Sequence, residues 1–549
     1  MKKYIIAIFI LLSISIFFAI SQKEKDLYQI EKQDNVELAI YINEEETNAI
    51  PSKDSGYYLD LEKSICTNNA IIQFDTSTWS PVIKNMSEYK TRCELHFGST
   101  YKETILNGTD PVLEEPLIAV TIDNDGTVRK ASLANEWYSY ENKEWANAVI
   151  LFDESENYED GEIISEDAIE SYFVWIPKYR YQLWDLGQYD SVTEIDTSKV
   201  HEIPVIFGDY NTNDNVDGEC TTPMESGATG NCQIVAYMTH PAFLSIPSTG
   251  FWVGKFETGY NETNITDEAE QNVIDSSKII VKPNVYSWRE IQLANAFYTS
   301  YDYQRKLDSH MMKNTEWGAV AYLQHSKYGS TTSVRINNNS NFITGYQAND
   351  EPTCGNTRSG VESMDCNVSC SDGTCNTAYP NSVLASTTDN VTGIFDMSGG
   401  ALEYLMHGTK TDANVFVSGI SSTLNSGFKG IYNDGTNNTT GLDWPNKKYY
   451  DLYLYTTNRY QFKDRILGDA TGEMGPFSQI EFLDTYSLQI SSWYNDTTFR
   501  WVIAGLWFQR GGAYYDGYGS GIFQNTSYDA IATWDCSFRL ILTPTGGTS

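Results

Sequence analysis

Positive charge is what this chain most lacks. Its 549 residues carry 37 Lys and Arg against 73 Asp and Glu, a formal net charge of -36. Such a chain repels phosphates, which argues against a nucleic-acid partner. The acidity suits solubility outside the cell. Long apolar runs are also missing beyond residue 20, so no later segment is expected to span a bilayer. The one such run, from Tyr4 to Ile20, follows Lys2 and Lys3. Residues 1–21 therefore read as a signal peptide or an N-terminal membrane anchor. Ala19-Ile20-Ser21 offers a small-x-small cleavage site, while the run is only just long enough to span. Cleavage and retention both stay open, and either way the body of the protein is expected to be extracellular, at the cell surface or secreted.

An oxidising compartment makes disulfides the expectation for the nine cysteines. Cys66 and Cys93 share one N-terminal segment, and Cys220 and Cys232 flank one loop. Cys354, Cys366, Cys370 and Cys375 crowd a second loop, where two bridges are favoured over zinc and three pairings are open. Cys536 is left over, a free thiol.

The organisation is read from composition and periodicity. Residues 22–34 are a charged linker. Residues 35–98 read as a small β domain: Val36, Leu38, Ile40 and Ile42 alternate at the period of a half-buried strand, and short strand patterns follow. Trp79 beside a Cys66–Cys93 bridge makes this an immunoglobulin-like sandwich. Residues 99–116 connect it to lead-in strands and an acidic loop at 117–170, with a hairpin signal at Asp123-Asn-Asp-Gly126. Residues 153–170 hold nine acidic residues and no basic one, the composition of an exposed loop. The rest, 171–545, is short strands and long polar loops with two helix patterns. One opens at Ser287, with Glu290 three residues on as a capping box, and runs through Phe297. The other runs from Asn314 to Leu323. The fold class is α+β.

Residues 513–537 contain no Lys, Glu or Met, and Tyr stands at 514, 515, 518 and 528. Tyr gives stiff, amphipathic contact area at low entropy cost, with Ser, Gly and Asn as adaptable neighbours. That is the composition of a binding surface.

Taken in order, several segments resemble one family. They are Phe173-Val-Trp-Ile-Pro177, then Phe251-Trp-Val-Gly-Lys-Phe-Glu257-Thr258, then Pro283-Asn-Val-Tyr-Ser287-Trp288 and Asn314-Thr-Glu316-Trp317. Asp396-Met397-Ser-Gly399-Gly-Ala401-Leu-Glu403-Tyr404, Arg510-Gly511-Gly512 and Ser537-Phe538-Arg539 complete the series. Together they are similar to the formylglycine-generating enzyme (sulfatase-modifying factor) family, whose fold is a variant of the C-type lectin fold. The resemblance implies a lectin-like head with few helices and long loops behind the small β-sandwich. It also implies calcium at Asp396, Gly399, Ala401 and Glu403, a hard-oxygen set.

The departures are informative. The enzymes carry two copper-binding cysteines shortly after Arg-Gly-Gly, and here 513–535 contains none. The related iron enzymes use a histidine cluster, which the six histidines here do not form. No catalytic residue is therefore assigned. What remains resembles the family's non-enzymatic branch, surface or phage receptor-binding proteins whose C-terminal stretch is varied by diversity-generating retroelements. Those elements mutate template adenines, and an Asn codon changed that way never reaches Lys, Glu or Met.

The expectation is an exported adhesion protein that binds a protein or glycan on another cell, phage or host surface. If the N-terminal segment is uncleaved, the protein's own membrane is also a partner. The ligand-contact candidates are Tyr514, Tyr515, Asp516, Tyr518, Ser520, Asn525, Tyr528, Asp529 and Trp534. Arg510, Gly511, Gly512, Phe538 and Arg539 are expected to be structural, fixing the ends of the displayed stretch. The alternatives are an oxidoreductase of the family with altered metal use, and a carbohydrate-binding module.

Overall fold

The structure is a computed structural model. It describes residues 110–181, 202–208, 238–244, 249–262, 271–330, 385–410, 426–431, 437–454, 468–470, 507–513 and 520–544, with residues 383 and 466 and a few short strands elsewhere. The chain divides into two compact units, one of residues 1–110 with 207–212, the other of 111–206 with 213–549.

In the first unit two antiparallel pairs are described. Asp26–Glu31 pairs with Glu37–Ile42, and Ile72–Asp75 with Ser80–Ile83. The alternating apolar residues at 38, 40 and 42 do form a strand. Its partner lies in the segment read as a charged linker.

The second unit is built on an eight-stranded sheet. Its strands are β1 (Ile118–Ile122), β2 (Val128–Lys130), β3 (Asn147–Leu151), β4 (Ile163–Ile164), β5 (Ile169–Pro177), β6 (Gly250–Gly254) and β7 (His310–Met311), closed by the chain's last strand, Leu540–Leu542. A six-stranded sheet comprises β8 (Leu402–Tyr404), β9 (Gln489–Ile490), β10 (Thr497–Thr498), β11 (Trp507–Gly511), β12 (Gly521–Tyr528) and β13 (Cys536–Phe538). The last strand, Leu540–Leu542, is β14.

The large sheet runs β7-β14-β6-β5-β3-β1-β2-β4, and the smaller one β9-β10-β12-β11-β8-β13. All pairings in the large sheet are antiparallel. The hairpin expected at residues 123–126 joins β1 to β2. Because β3 pairs with β5, the lead-in strands and the head share one sheet. Burial explains the sequence of the middle strands. In β5 and β6 nearly every residue is inside, so Tyr172-Phe-Val-Trp-Ile176 and Phe251-Trp-Val253 read as continuous apolar runs rather than alternating ones. Trp175 and Trp252 pair across the strands, edge to face at 5.2 Å.

Two α-helices are described, α1 (Leu293–Tyr303) and α2 (Asn314–Gln324). All eleven residues of α2 are buried, so the helix is covered on every side. Its start follows the expected motif, with Glu316 accepting from the Lys313 backbone N–H at 2.8 Å. At Gly318 a Cβ would stand 2.0 Å from the Gly468 carbonyl, so only glycine permits that approach.

The first helix departs from expectation. It begins at Leu293, six residues after Ser287, and Glu290 takes φ +55° instead of capping it. Ser287 is drawn away because its hydroxyl donates to the buried carboxylate of Glu257. The fold is a mixed α+β fold with few helices and many antiparallel strands. Among the described residues no helix is long and apolar enough to cross a membrane.

Candidate functional site

The motif residues converge on one buried cluster. Glu257 follows β6, Asp396 opens the central loop, Glu403 is on β8, and Arg539 is the single residue between β13 and β14. All four side chains are buried. Arg539 meets Glu403 in a fork, Nε to Oε2 at 2.8 Å and Nη2 to Oε1 at 2.5 Å. Its Nη1 donates to the Gly254 carbonyl at 2.8 Å. One guanidinium thus ties the smaller sheet to the larger one at the point where the chain crosses between them.

Glu257 accepts from the Ala401 N–H at 3.1 Å and from Ser287, and its own N–H donates to Asp396 Oδ2 at 3.4 Å. The loop that brings Ala401 there needs left-handed backbone. Asp396, Gly399 and Gly400 have φ of +64°, +101° and +81°. A Cβ on Gly400 would stand 2.2 Å from Glu257 Oε1, so that position admits only glycine.

Three buried carboxylates thus face one guanidinium, a formal excess of two negative charges that protons or a cation must offset. Burial pushes Glu257 well above the ordinary carboxylate range, with the charges of Glu403 and Asp396 adding to it. Burial also raises Asp396 to about 7 against the pull of Arg539, and raises Glu403 against the pull and hydrogen bonds of the same guanidinium. Arg539 is itself raised: burial lowers it, but the charge and hydrogen bonds of Glu403 outweigh that. Asp396 Oδ1 has no hydrogen-bond partner. Among the described residues no group of three or more His, Cys, Asp or Glu is arranged to hold a metal ion. Of the proposed calcium set, Asp396 has an open oxygen and Glu403 is engaged by Arg539.

The Tyr-rich stretch leaves from this cluster. β8 lies between β11 and β13, with Glu403 opposite Arg510 on one side and Ser537 on the other. Both ends of the stretch are therefore registered on one strand. Arg510 is buried, donates to the Asp469 and Ala470 carbonyls at 3.0 and 3.2 Å, and lies 5.8 Å from the Trp317 ring. Trp317 in turn donates to the Ile522 carbonyl at 2.7 Å, so α2 supports both strands of the β11–β12 hairpin. Gly511 and Gly512 have φ of +82° and +90°, and a Cβ on Gly512 would meet Ser520 Oγ at 2.4 Å. Phe538 is buried, its ring 5.8 Å from Trp288. The five residues expected to bracket the stretch are all inside.

The ligand candidates divide. Tyr528 and Trp534 are each 47% exposed, and Asp529 is half-buried. Ser520 and Asn525 are buried. Tyr514, Tyr515, Asp516 and Tyr518 lie outside the described residues, as do Cys66, Cys93, Cys220, Cys232, Cys354, Cys366, Cys370 and Cys375. Cys536 is a buried free thiol, and it accepts from Gln509 Nε2 at 2.8 Å.

Sequence reasoning passed over Glu257 and Ser287 as site residues, though both stood in quoted motifs. The signal was an acid, Glu257, three residues past the apolar strand Gly250–Gly254, since a carboxylate there must find buried partners. Compared with protein-family models and with curated proteins, the chain matches none.

Proposed function

We propose that this chain is an exported, surface-held ligand-binding protein. It displays a variable C-terminal surface on a C-type-lectin-like scaffold of the formylglycine-generating-enzyme type. One observation carries the reading. Residues 513–537 begin and end on the two flanks of β8, next to buried Arg510 and Arg539, while Tyr528 and Trp534 between those ends stand exposed. Rigid brackets around exposed aromatics are what a binding surface needs, since interfaces concentrate energy in Tyr, Trp and Arg anchors.

Binding of a protein or glycan on another surface, without chemistry, is the activity. Calcium belongs to the same reading as a structural ion. Asp396 Oδ1 supplies an open buried acceptor, and Glu403 contributes only lone pairs not used by Arg539.

The test exchanges Tyr514, Tyr515, Asp516, Tyr518, Tyr528, Asp529 and Trp534 for a different pattern of Tyr, Asp and Ser and leaves the buried residues 520–525 in place. Both versions are displayed and screened against host-cell, bacterial and phage surface extracts. The expected result is a changed ligand profile on a folded head. An unchanged profile refutes the assignment, and oxidation of a Cys-containing sulfatase peptide after copper loading points to the enzyme instead.

A further inference from the structure

A second segment rises beside the displayed stretch. The Arg289 Nη1 donates to the Trp534 carbonyl at 2.9 Å, the Glu290 N–H to the Thr533 carbonyl at 2.8 Å, and the Leu293 N–H to the Ala530 carbonyl at 3.3 Å. These bonds stitch the turn that enters α1 to the end of the Tyr-rich stretch. On that turn Tyr286 is 70% exposed, the most exposed large apolar residue described. The turn is rigid beneath it. Trp288 is buried, donates to the Gln271 carbonyl at 2.9 Å, and lies 4.6 Å from the Tyr260 ring.

We propose that the ligand surface continues from Tyr528 and Trp534 onto this turn, and that the joint face takes a protein segment rich in Lys and Arg, whose cations lie over Tyr286 and Trp534. The proposal rests on the display reading above. Two observations select a cationic ligand. The charged residues of 283–293 and 528–535 are Arg289, Glu290, Asp529 and Asp535, three acids against one base, and one Arg289 donor is already spent on the Trp534 carbonyl. Aromatic faces among carboxylates attract ammonium and guanidinium groups. The net charge of -36 steers the same partner inward and repels sulfated or sialylated glycans. A rigid turn loses little entropy on binding, so Tyr286 is pre-organised for contact.

The experiment uses the full chain and a fluorescently labelled octa-arginine peptide, read by anisotropy. A heparin fragment serves as the anionic comparison. The chain's acidity attracts the peptide everywhere, so the deciding variants are ones that remove no charge. Tyr286→Ala and Trp534→Ala are each expected to weaken binding roughly tenfold with unchanged melting, while Leu133→Ala, at another exposed apolar residue, leaves it intact. Loss with Trp534→Ala alone overturns the shared surface and leaves the display reading standing. No loss with either variant, or tighter binding of the heparin fragment, overturns the proposal. Failure of the display reading is recognised separately, by the unchanged ligand profile after the residue exchange within 513–537.

Discussion

Arg539 and Glu403 form a two-pronged ion pair with both side chains fully inside the protein. The carboxylate comes from β8 and the guanidinium from the residue between β13 and β14. The pair holds the end of the Tyr-rich stretch where the chain passes from one sheet to the other.

Arg539→Ala is expected to destabilise the protein by about 3–5 kcal/mol, because it leaves Glu403 buried and unpaired. Arg539→Met with Glu403→Gln removes both charges and is expected to cost less than Arg539→Ala alone. Urea unfolding of the three proteins checks this, and a double variant worse than the single one contradicts it.

The Asp396 carboxyl sits at about 7 in the fold against an ordinary 3.8. The folded state therefore keeps a proton that the unfolded chain loses over that window. Stability linked to this proton is complete below about pH 4 and is lost as pH rises through about 7, at up to roughly 1.4 kcal/mol per unit. Asp396→Asn cannot ionise, and Asn accepts the left-handed backbone there. The variant is expected to show a flatter melting profile from pH 4 to 8. If calcium binds at Asp396, adding it to the wild type flattens the profile too, and a chelator restores the slope. Equal slopes in wild type and variant would exclude Asp396 as the titrating group.

Gly400→Ala places a methyl 2.2 Å from Glu257 Oε1 at a backbone φ of +81°. The cost is expected to be about 3 kcal/mol or more, from strain and displacement of a buried carboxylate. A thermal melt within a degree of wild type would mean that the loop is placed differently.

Tyr528→Ala and Trp534→Ala are expected to stay within about 0.5 kcal/mol of wild type, because both side chains face solvent. Asn525→Ala removes a buried polar group from β12 and is expected to cost 1 kcal/mol or more, to order of magnitude. Chemical denaturation of the three variants separates surface from interior. Tyrosine or tryptophan losses as large as the asparagine loss would place those aromatics in the core.

The Cys536 thiol is buried and raised by that burial and by the neighbouring Asp535 charge. Only the thiolate attacks an alkylating reagent, so Cys536 is expected to resist labelling in the native protein and to react on unfolding. Mass spectrometry of labelled peptides checks this. Rapid native labelling at Cys536 would contradict the burial.

Much of this architecture was legible because the chemistry of its residues is loud. The apolar strands β5 and β6, the Glu316 start of α2 and the two arginine brackets each have one physical reading, and the fold contains them. The start of α1 was not legible. Ser287 has the local signature of a helix cap, but a buried carboxylate thirty residues earlier claims its hydroxyl, and no local window contains that competitor. Ser520 and Asn525 were read as contact residues from composition alone. Composition cannot tell which residues of a β-hairpin point inward, and both are inside. The part played by the 283–292 turn was hidden for the same reason, since its proximity to Trp534 exists only in three dimensions.

The pairing of Glu403 with Arg510 on one side and Ser537 on the other has a geometric consequence. The exit and return points of the Tyr-rich stretch are held two strand spacings apart, about 9.6 Å, by β8, which does not belong to it. The segment behaves as a cassette with fixed sockets. Doubling the length of a flexible insertion there raises the loop-closure entropy cost by only about 0.6 kcal/mol. The scaffold should therefore accept insertions between Gly512 and Ser520 more readily than changes in β12, whose Ile522, Phe523 and Asn525 are buried, and natural or selected variants are free to reach farther from the same two anchors.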